Sequence, residues 1–136
     1  MNDDIIVTIL VENTVHGRGL MAEHGLAFHV QAGTESLLFD TGQSALLAQN
    51  ARHLAVDLTQ LRAVALSHGH YDHIGGLSAV WELAPNAALL AHPTVLATRF
   101  TRNADAPRAL SGSAYRVVKS CKPMPRALNS PRRQPK

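Results

Sequence analysis

SHGHYDHIGGL, residues 67–77, places three histidines and an aspartate in the six positions His68 to His73. Neutral imidazole and carboxylate are the ordinary ligands of zinc, and they also serve iron and manganese. In an extended loop, residues two apart point to the same side, so His68 and His70 can grip one ion together. Asp72 and His73 fall where the chain turns toward a helix and can face a second ion beside the first. Gly69, Gly75 and Gly76 remove side chains where the backbone must bend tightly. The stretch follows the short apolar run RAVALS (62–67), which reads as a strand entering a sheet interior. Metal-ligating residues directly after such a strand match the habit of α/β sheets, which place their chemistry at the carboxyl ends of strands.

Working outward, IIVTILVEN (5–13) is β-branched and apolar and predicts a buried strand. HGRGLMAEHG (16–25) is glycine-punctuated and reads as a loop. LAFHVQ (26–31) and SLLFD (36–40) flank AGTE and predict a β-hairpin. SALLAQNARHL (44–54) has helical spacing with Ser44 as a candidate cap, and GGLSAVWEL (75–83) places Leu77, Val80, Trp81 and Ala84 on one helical face. AALLAH (87–92) reads as a strand and PTVLATRF (93–100) as a helix opened by proline. Strands alternating with helices predict an α/β layer architecture.

Composition divides the chain. Of its 136 residues 46 % are apolar, enough for one globular core, and no apolar run approaches the length of a membrane span. Residues 1–105 hold all ten acidic residues and five arginines, whereas residues 106–136 hold eight cations and no acid. All eight histidines lie at or before His92, and four of the seven prolines fall between Pro123 and Pro135. The expected organisation is a half-domain over 1–104 followed by a basic, proline-rich tail over 105–136 without stable structure. The single cysteine, Cys121, excludes an internal disulfide framework, and the acidic start MNDD lacks the basic opening of a secretory signal, so a cytoplasmic setting is expected. The tail cations are dispersed among prolines with Tyr115 as the one aromatic, which argues against a nucleic-acid arm.

HGHYDH preceded by a strand and followed by IGGL resembles the signature of the metallo-β-lactamase superfamily, and LLFDTG (37–42) resembles its second landmark. More narrowly, LVENT (10–14), EHGLAFHV (23–30), LFDTGQS (38–44) and LSHGHYDHIGGL (66–77) resemble the branch related to the ribofuranosylaminobenzene 5′-phosphate synthases. The resemblance covers residues 5–100. It implies the N-terminal half of an αββα sandwich, a mixed sheet with covering helices. It also implies two divalent ions, zinc before iron or manganese, with His68 and His70 on the first and Asp72 and His73 on the second. Asp40 would orient the metal loop by hydrogen bonding. Asp72 would in addition hold or deprotonate a metal-activated water. Glu12, Asn13 and His24 fall in matching segments and join His92, at a strand end, as candidate pocket residues.

Superfamily members draw a third histidine, a bridging aspartate and a final histidine from their second half. Nothing after His92 is a histidine and nothing after Asp105 is an acid. The sequence therefore reads as a truncated or frameshifted N-terminal part of a metal-dependent hydrolase. Its expected substrate is a small phosphoester, ester or lactone. A synthase-like transferase is one alternative. Another is a catalytically silent half-domain that dimerises or docks onto a complementing chain through an uncovered apolar sheet face.

Overall fold

The computed structural model describes residues 4–97 together with the backbone of 100–101 and 109–110. Strand β1 (Ile5–Val11) pairs antiparallel with β2 (Ala27–Ala32), which forms the expected hairpin with β3 (Glu35–Phe39). Helix α1 (Leu46–His53) leads to β4 (Ala63–Ala65), which lies parallel to β3. A four-residue helix α2 (Tyr71–Ile74) and α3 (Leu77–Leu83) lead to β5 (Ala88–Leu90), parallel to β4. The result is a mixed five-stranded sheet in the order β1-β2-β3-β4-β5. A single turn of 3₁₀ helix, Pro93–Leu96, follows. A separate short pair, β6 (Phe100–Thr101) with β7 (Ala109–Leu110), crosses the expected boundary between 104 and 105. The rest of the tail, Cys121 included, lies outside the described residues.

Side-chain alternation sorts the sheet into two unlike faces. The register Thr8–His29–Leu38–Val64–Leu89 runs across all five strands, and its inner members His29, Leu38 and Val64 are buried. Leu47 and Ala51 of α1 and Leu77 and Val80 of α3 join Leu38 and Val64 in one core, as the helical spacing predicted. Leu38 and Leu47 are both fully enclosed, and burial of that extent stabilises by about 1.5–3 kcal/mol per side chain. The other face carries Val7, Ile9, Val30, Leu37 and Leu90. Among these Val7 and Ile9 are 56 % and 53 % exposed, so this side has no cover among the described residues.

Two local expectations are corrected. Residues 93–100 do not form one helix: the His92 side chain accepts the Thr94 N–H at the start of the turn opened by Pro93, and the turn ends at Leu96 because Ala97 is extended, with a ψ of 141°. Ser44 is not the residue at the helix boundary, which is Ala45, although its Oγ does accept the Leu46 N–H at 3.1 Å.

His29 is the exception within the core row. It is 4 % exposed, and its Nε2 is the one buried side-chain polar atom without a hydrogen-bond partner among the described residues. Burial holds its pKa below the ordinary 6.5. Below that value the unfolded chain takes up a proton that the folded chain resists, so the neutral form's stability is fully present above it and is lost as pH falls. The His29→Leu variant is expected to raise the melting temperature more at about pH 5.5 than at about pH 7.5. Equal gains at both values in thermal melts would remove this residue from the acid sensitivity.

Candidate metal centre

Three parallel strands end at one edge of the sheet, and the residues that follow them carry the chemistry. Asp40 follows β3, Ser67 and His68 follow β4, and His92 follows β5. The Asp40 N–H donates to Ala65 O at 2.8 Å, which continues the β3–β4 ladder by one step and sets Asp40 beside the start of the histidine loop. Asp40 adopts a left-handed φ of 56°, a conformation that aspartate tolerates better than most residues.

Asp40 is fully buried, and its carboxylate accepts three hydrogen bonds. Oδ1 accepts the Ser67 N–H at 2.8 Å. Oδ2 accepts the Ser67 hydroxyl at 2.6 Å and the Nδ1–H of His73 at 2.7 Å. The Ser67 oxygen also lies 2.8 Å from Nδ1 of His68. These contacts fix the proton directions, because a carboxylate only accepts. Ser67 spends its one proton on Asp40, so His68 donates from Nδ1 to Ser67, as His73 donates from Nδ1 to Asp40. Both imidazoles are thereby held as the tautomer with a free lone pair on Nε2. This is the arrangement in which a hydrogen bond at one ring nitrogen prepares the other to bind a metal.

The rings are close. The centroid of His68 lies 4.5 Å from that of His70 and 4.1 Å from that of His73. Burial lowers the pKa of His68, and the neighbouring His73 and His70 lower it further against the opposing pull of Asp40 and Asp72. The neutral imidazole that results is the form a metal ion requires. Asp40, His68 and His73 each offer a ligand atom within 4.8 Å of the other two. Within that trio Asp40 is the brace, since it is enclosed and its oxygens are already engaged. Asp72 is also buried, with Oδ2 lying 3.5 Å from Nε2 of His73 and 3.3 Å from Nε2 of His24.

The loop is anchored from below by backbone contacts. Thr41 donates its N–H to His73 O at 2.7 Å and its hydroxyl to the same oxygen at 3.0 Å. Glu23 accepts the N–H groups of Gln43 and Ser44, each at 3.0 Å, and the Ser44 hydroxyl at 2.6 Å, so the segment after Asp40 is clamped as well. Asn50, buried on α1, donates to Leu10 O at 2.7 Å and Met21 O at 2.8 Å and ties the β1–β2 loop to the helix.

The remaining candidate residues divide. Asn13 and His24 come together with Asp72, since Asn13 Oδ1 lies 3.2 Å from Nδ1 of His24. Glu12 is exposed and accepts the Thr14 hydroxyl at 3.2 Å, and it lines a small cleft with Leu10, Met21 and Asn50. His92 stands at the same sheet edge, but its Nδ1 bonds with Thr94 Oγ1 at 2.8 Å, and it does not join the ligand cluster. Ser67 was missed as a functional residue. Its only signal in the sequence is its position immediately before His68, at the end of a strand.

Comparison with known proteins places this geometry in a family. A sequence profile of the Metallo-beta-lactamase superfamily matches residues 21–119. An uncharacterised protein of Methanocaldococcus jannaschii is 30 % identical over 99 residues, covering 72 % of this chain and 38 % of its own length. The 7,8-dihydropterin-6-methyl-4-(β-D-ribofuranosyl)-aminobenzene-5′-phosphate synthase of the same organism is 28 % identical over 105 residues, covering 72 % of this chain and 36 % of its own. Among solved structures, Tm1679, described as a metal-dependent hydrolase of the β-lactamase superfamily, is 39 % identical over 52 % of this chain and 25 % of its own, with a TM-score of 0.43. The chain thus spans less than two-fifths of the curated relatives it matches. The profile match takes in Asp40, Ser67 and the whole histidine loop, and the chain belongs to the metallo-β-lactamase superfamily.

Proposed function

We propose that this chain is the metal-binding N-terminal part of a metal-dependent hydrolase that acts on small phosphoester, ester or lactone substrates. The observation that carries the reading is the network His68–Ser67–Asp40–His73, which leaves two neighbouring Nε2 atoms unprotonated and aimed outward from one carboxylate brace. His68 and His70 would hold one divalent ion, zinc before iron or manganese, and Asp72 and His73 a second. Such ions, when bound, polarise a phosphoryl or carbonyl oxygen and lower the pKa of water. The chain's own contributions are to orient the imidazoles through Asp40 and Ser67, to keep His68 neutral, and to set the Asp72 carboxylate beside the ions, where it can accept a proton. The single cysteine and the expected small-molecule substrate fit a cytoplasmic setting. Among the described residues no helix is long and apolar enough to cross a membrane.

A synthase-like transferase activity is the second reading. It is supported by the 28 % identity to the aminobenzene-phosphate synthase, and it would use the same metal loop. The uncovered sheet face with Val7 and Ile9 supports a different alternative, association with a second copy or a complementing chain.

Elemental analysis of the purified full chain tests the metal reading. Wild type is expected to retain roughly one or more equivalents of a divalent metal through desalting, and the His68→Ala, His70→Ala double variant to retain almost none. A metal-free wild type after reconstitution with zinc, iron and manganese in turn would sink it. Equal metal retention by both proteins would move the site away from the loop.

A further inference from the structure

The loop between β1 and β2 carries a histidine that the cluster after β4 does not account for. His24 is mostly exposed, with its side chain 66 % accessible, yet it is pinned at one end. Its Nδ1 lies 3.2 Å from Oδ1 of Asn13, and the same oxygen accepts the Gly25 N–H at 3.1 Å. The Gly25 N–H identifies that atom as the amide oxygen, and an amide oxygen only accepts. Nδ1 of His24 therefore carries the proton, and Nε2 is the end left to face Asp72.

His73 is built the same way from the opposite part of the chain. Its Nδ1 donates to Asp40, and its Nε2 faces the same Oδ2 of Asp72. The two contacts with that oxygen are 3.3 Å for His24 and 3.5 Å for His73. A charge-assisted N–H···O bond would be about 2.7–2.9 Å. Two atoms bound to one zinc at about 2.0–2.2 Å with tetrahedral angles lie about 3.3–3.5 Å apart. Both contacts have the length of an edge between ligands rather than that of a hydrogen bond.

We infer that His24 is a ligand, contributed by the β1–β2 loop, to the divalent ion held by Asp72, with Asn13 as the residue that positions it. The inference rests on the metal-binding reading above. It supplies from within this chain a donor that the histidine-rich stretch itself lacks. It also gives the otherwise solvated pair Asn13 and His24 a common task.

Cadmium tests it, with an NMR-active isotope as the probe ion and isotope-labelled histidine nitrogens in the full chain. A one-bond cadmium–nitrogen coupling is expected at Nε2 of His24 as well as at His73. In chelator competition with zinc, His24→Ala is expected to weaken the affected ion by more than about tenfold and Asn13→Ala by roughly tenfold. Both positions are exposed, so unchanged melting of the metal-free variants separates lost ligation from lost folding. Coupling at His68 and His73 without coupling at His24 would overturn this inference and leave the metal reading standing, as would an unaltered zinc affinity of His24→Ala. A wild-type chain that takes up no cadmium or zinc would overturn both.

Discussion

The Asp40→Asn variant is expected to remain folded while the histidine loop loses its affinity for metal. Asparagine keeps an oxygen where Oδ1 accepts the Ser67 N–H, because the amide nitrogen cannot face that donor. The NH₂ group must then occupy the place of Oδ2, where the aspartate accepts from Ser67 and His73. A donor now stands where an acceptor stood. His73 can meet it only by accepting at Nδ1, which moves its proton to Nε2. The Ser67 oxygen also accepts, and its freed proton turns to His68, whose Nδ1 must accept in turn. Both imidazoles end with a proton on the atom meant for the metal. One lost outer partner costs about 10–100-fold in metal affinity, so two switched tautomers are expected to cost at least about 100-fold. Chelator competition measures the loss, and the nitrogen shifts of His68 and His73 report the tautomers. Wild-type affinity in this variant would remove Asp40 from its bracing role.

Asp40→Ala separates the brace from the fold. It deletes the acceptor and leaves the Ser67 N–H, the Ser67 hydroxyl and Nδ1 of His73 without their buried partner. Each buried donor left without its acceptor costs about 1–3 kcal/mol, so losing the shared carboxylate removes a large part of a small domain's stability. The asparagine variant should therefore melt well above the alanine variant while binding metal nearly as poorly. That contrast isolates tautomer control from packing.

Much of the frame was legible because its signals are local. The hairpin expected from LAFHVQ and SLLFD appears as Ala27–Ala32 and Glu35–Phe39, and the periodicity of SALLAQNARHL appears as Leu46–His53. The density of ligands in SHGHYDH marks the loop without any structure. The bracing was less legible because it depends on register between distant segments. Ser67 reaches Asp40, 27 positions earlier, only because β3 and β4 run parallel with Phe39 opposite Ala65. The same holds for Asn13 and His24, whose partner Asp72 comes from a different loop. The helix expected over 93–100 is one turn long, because the extended backbone of Ala97 ends it where the local spacing is weak. Asp40, followed by Thr41 and Gly42, has the sequence context of an ordinary turn residue. Only its resemblance to a family landmark, and then the three hydrogen bonds, distinguish it from one.

Gly75 and Gly76 let the two loops meet. Both have ordinary right-handed backbone angles, with φ of −64° and −81°. On conformational grounds alone alanine at either position should stabilise, by up to about 1 kcal/mol. Space opposes this. A Cβ at Gly75 would overlap the carbonyl of Gln43, and one at Gly76 would overlap the carbonyl of Thr41 and the side chain of Leu47. Backbone cannot rotate away as a side-chain tip can, so the segments 41–44 and 73–76 must separate. Overpacking of this kind costs about 1–3 kcal/mol where side chains yield, and a backbone obstacle places these substitutions at or above the upper end. Gly75→Ala and Gly76→Ala are therefore expected to lose about 3 kcal/mol or more in denaturant melts. Gly33 is the control: it has a left-handed φ of 59° and open space around it, so alanine there should cost only about 1–2 kcal/mol. Separation of the segments would also break the Thr41–His73 contacts and carry His73 away from Asp40. Any folded fraction of the two loop variants should accordingly bind metal weakly, whereas Gly33→Ala should bind as wild type. Similar losses at all three glycines would show that close approach of the two backbones does not set the position of the metal loop.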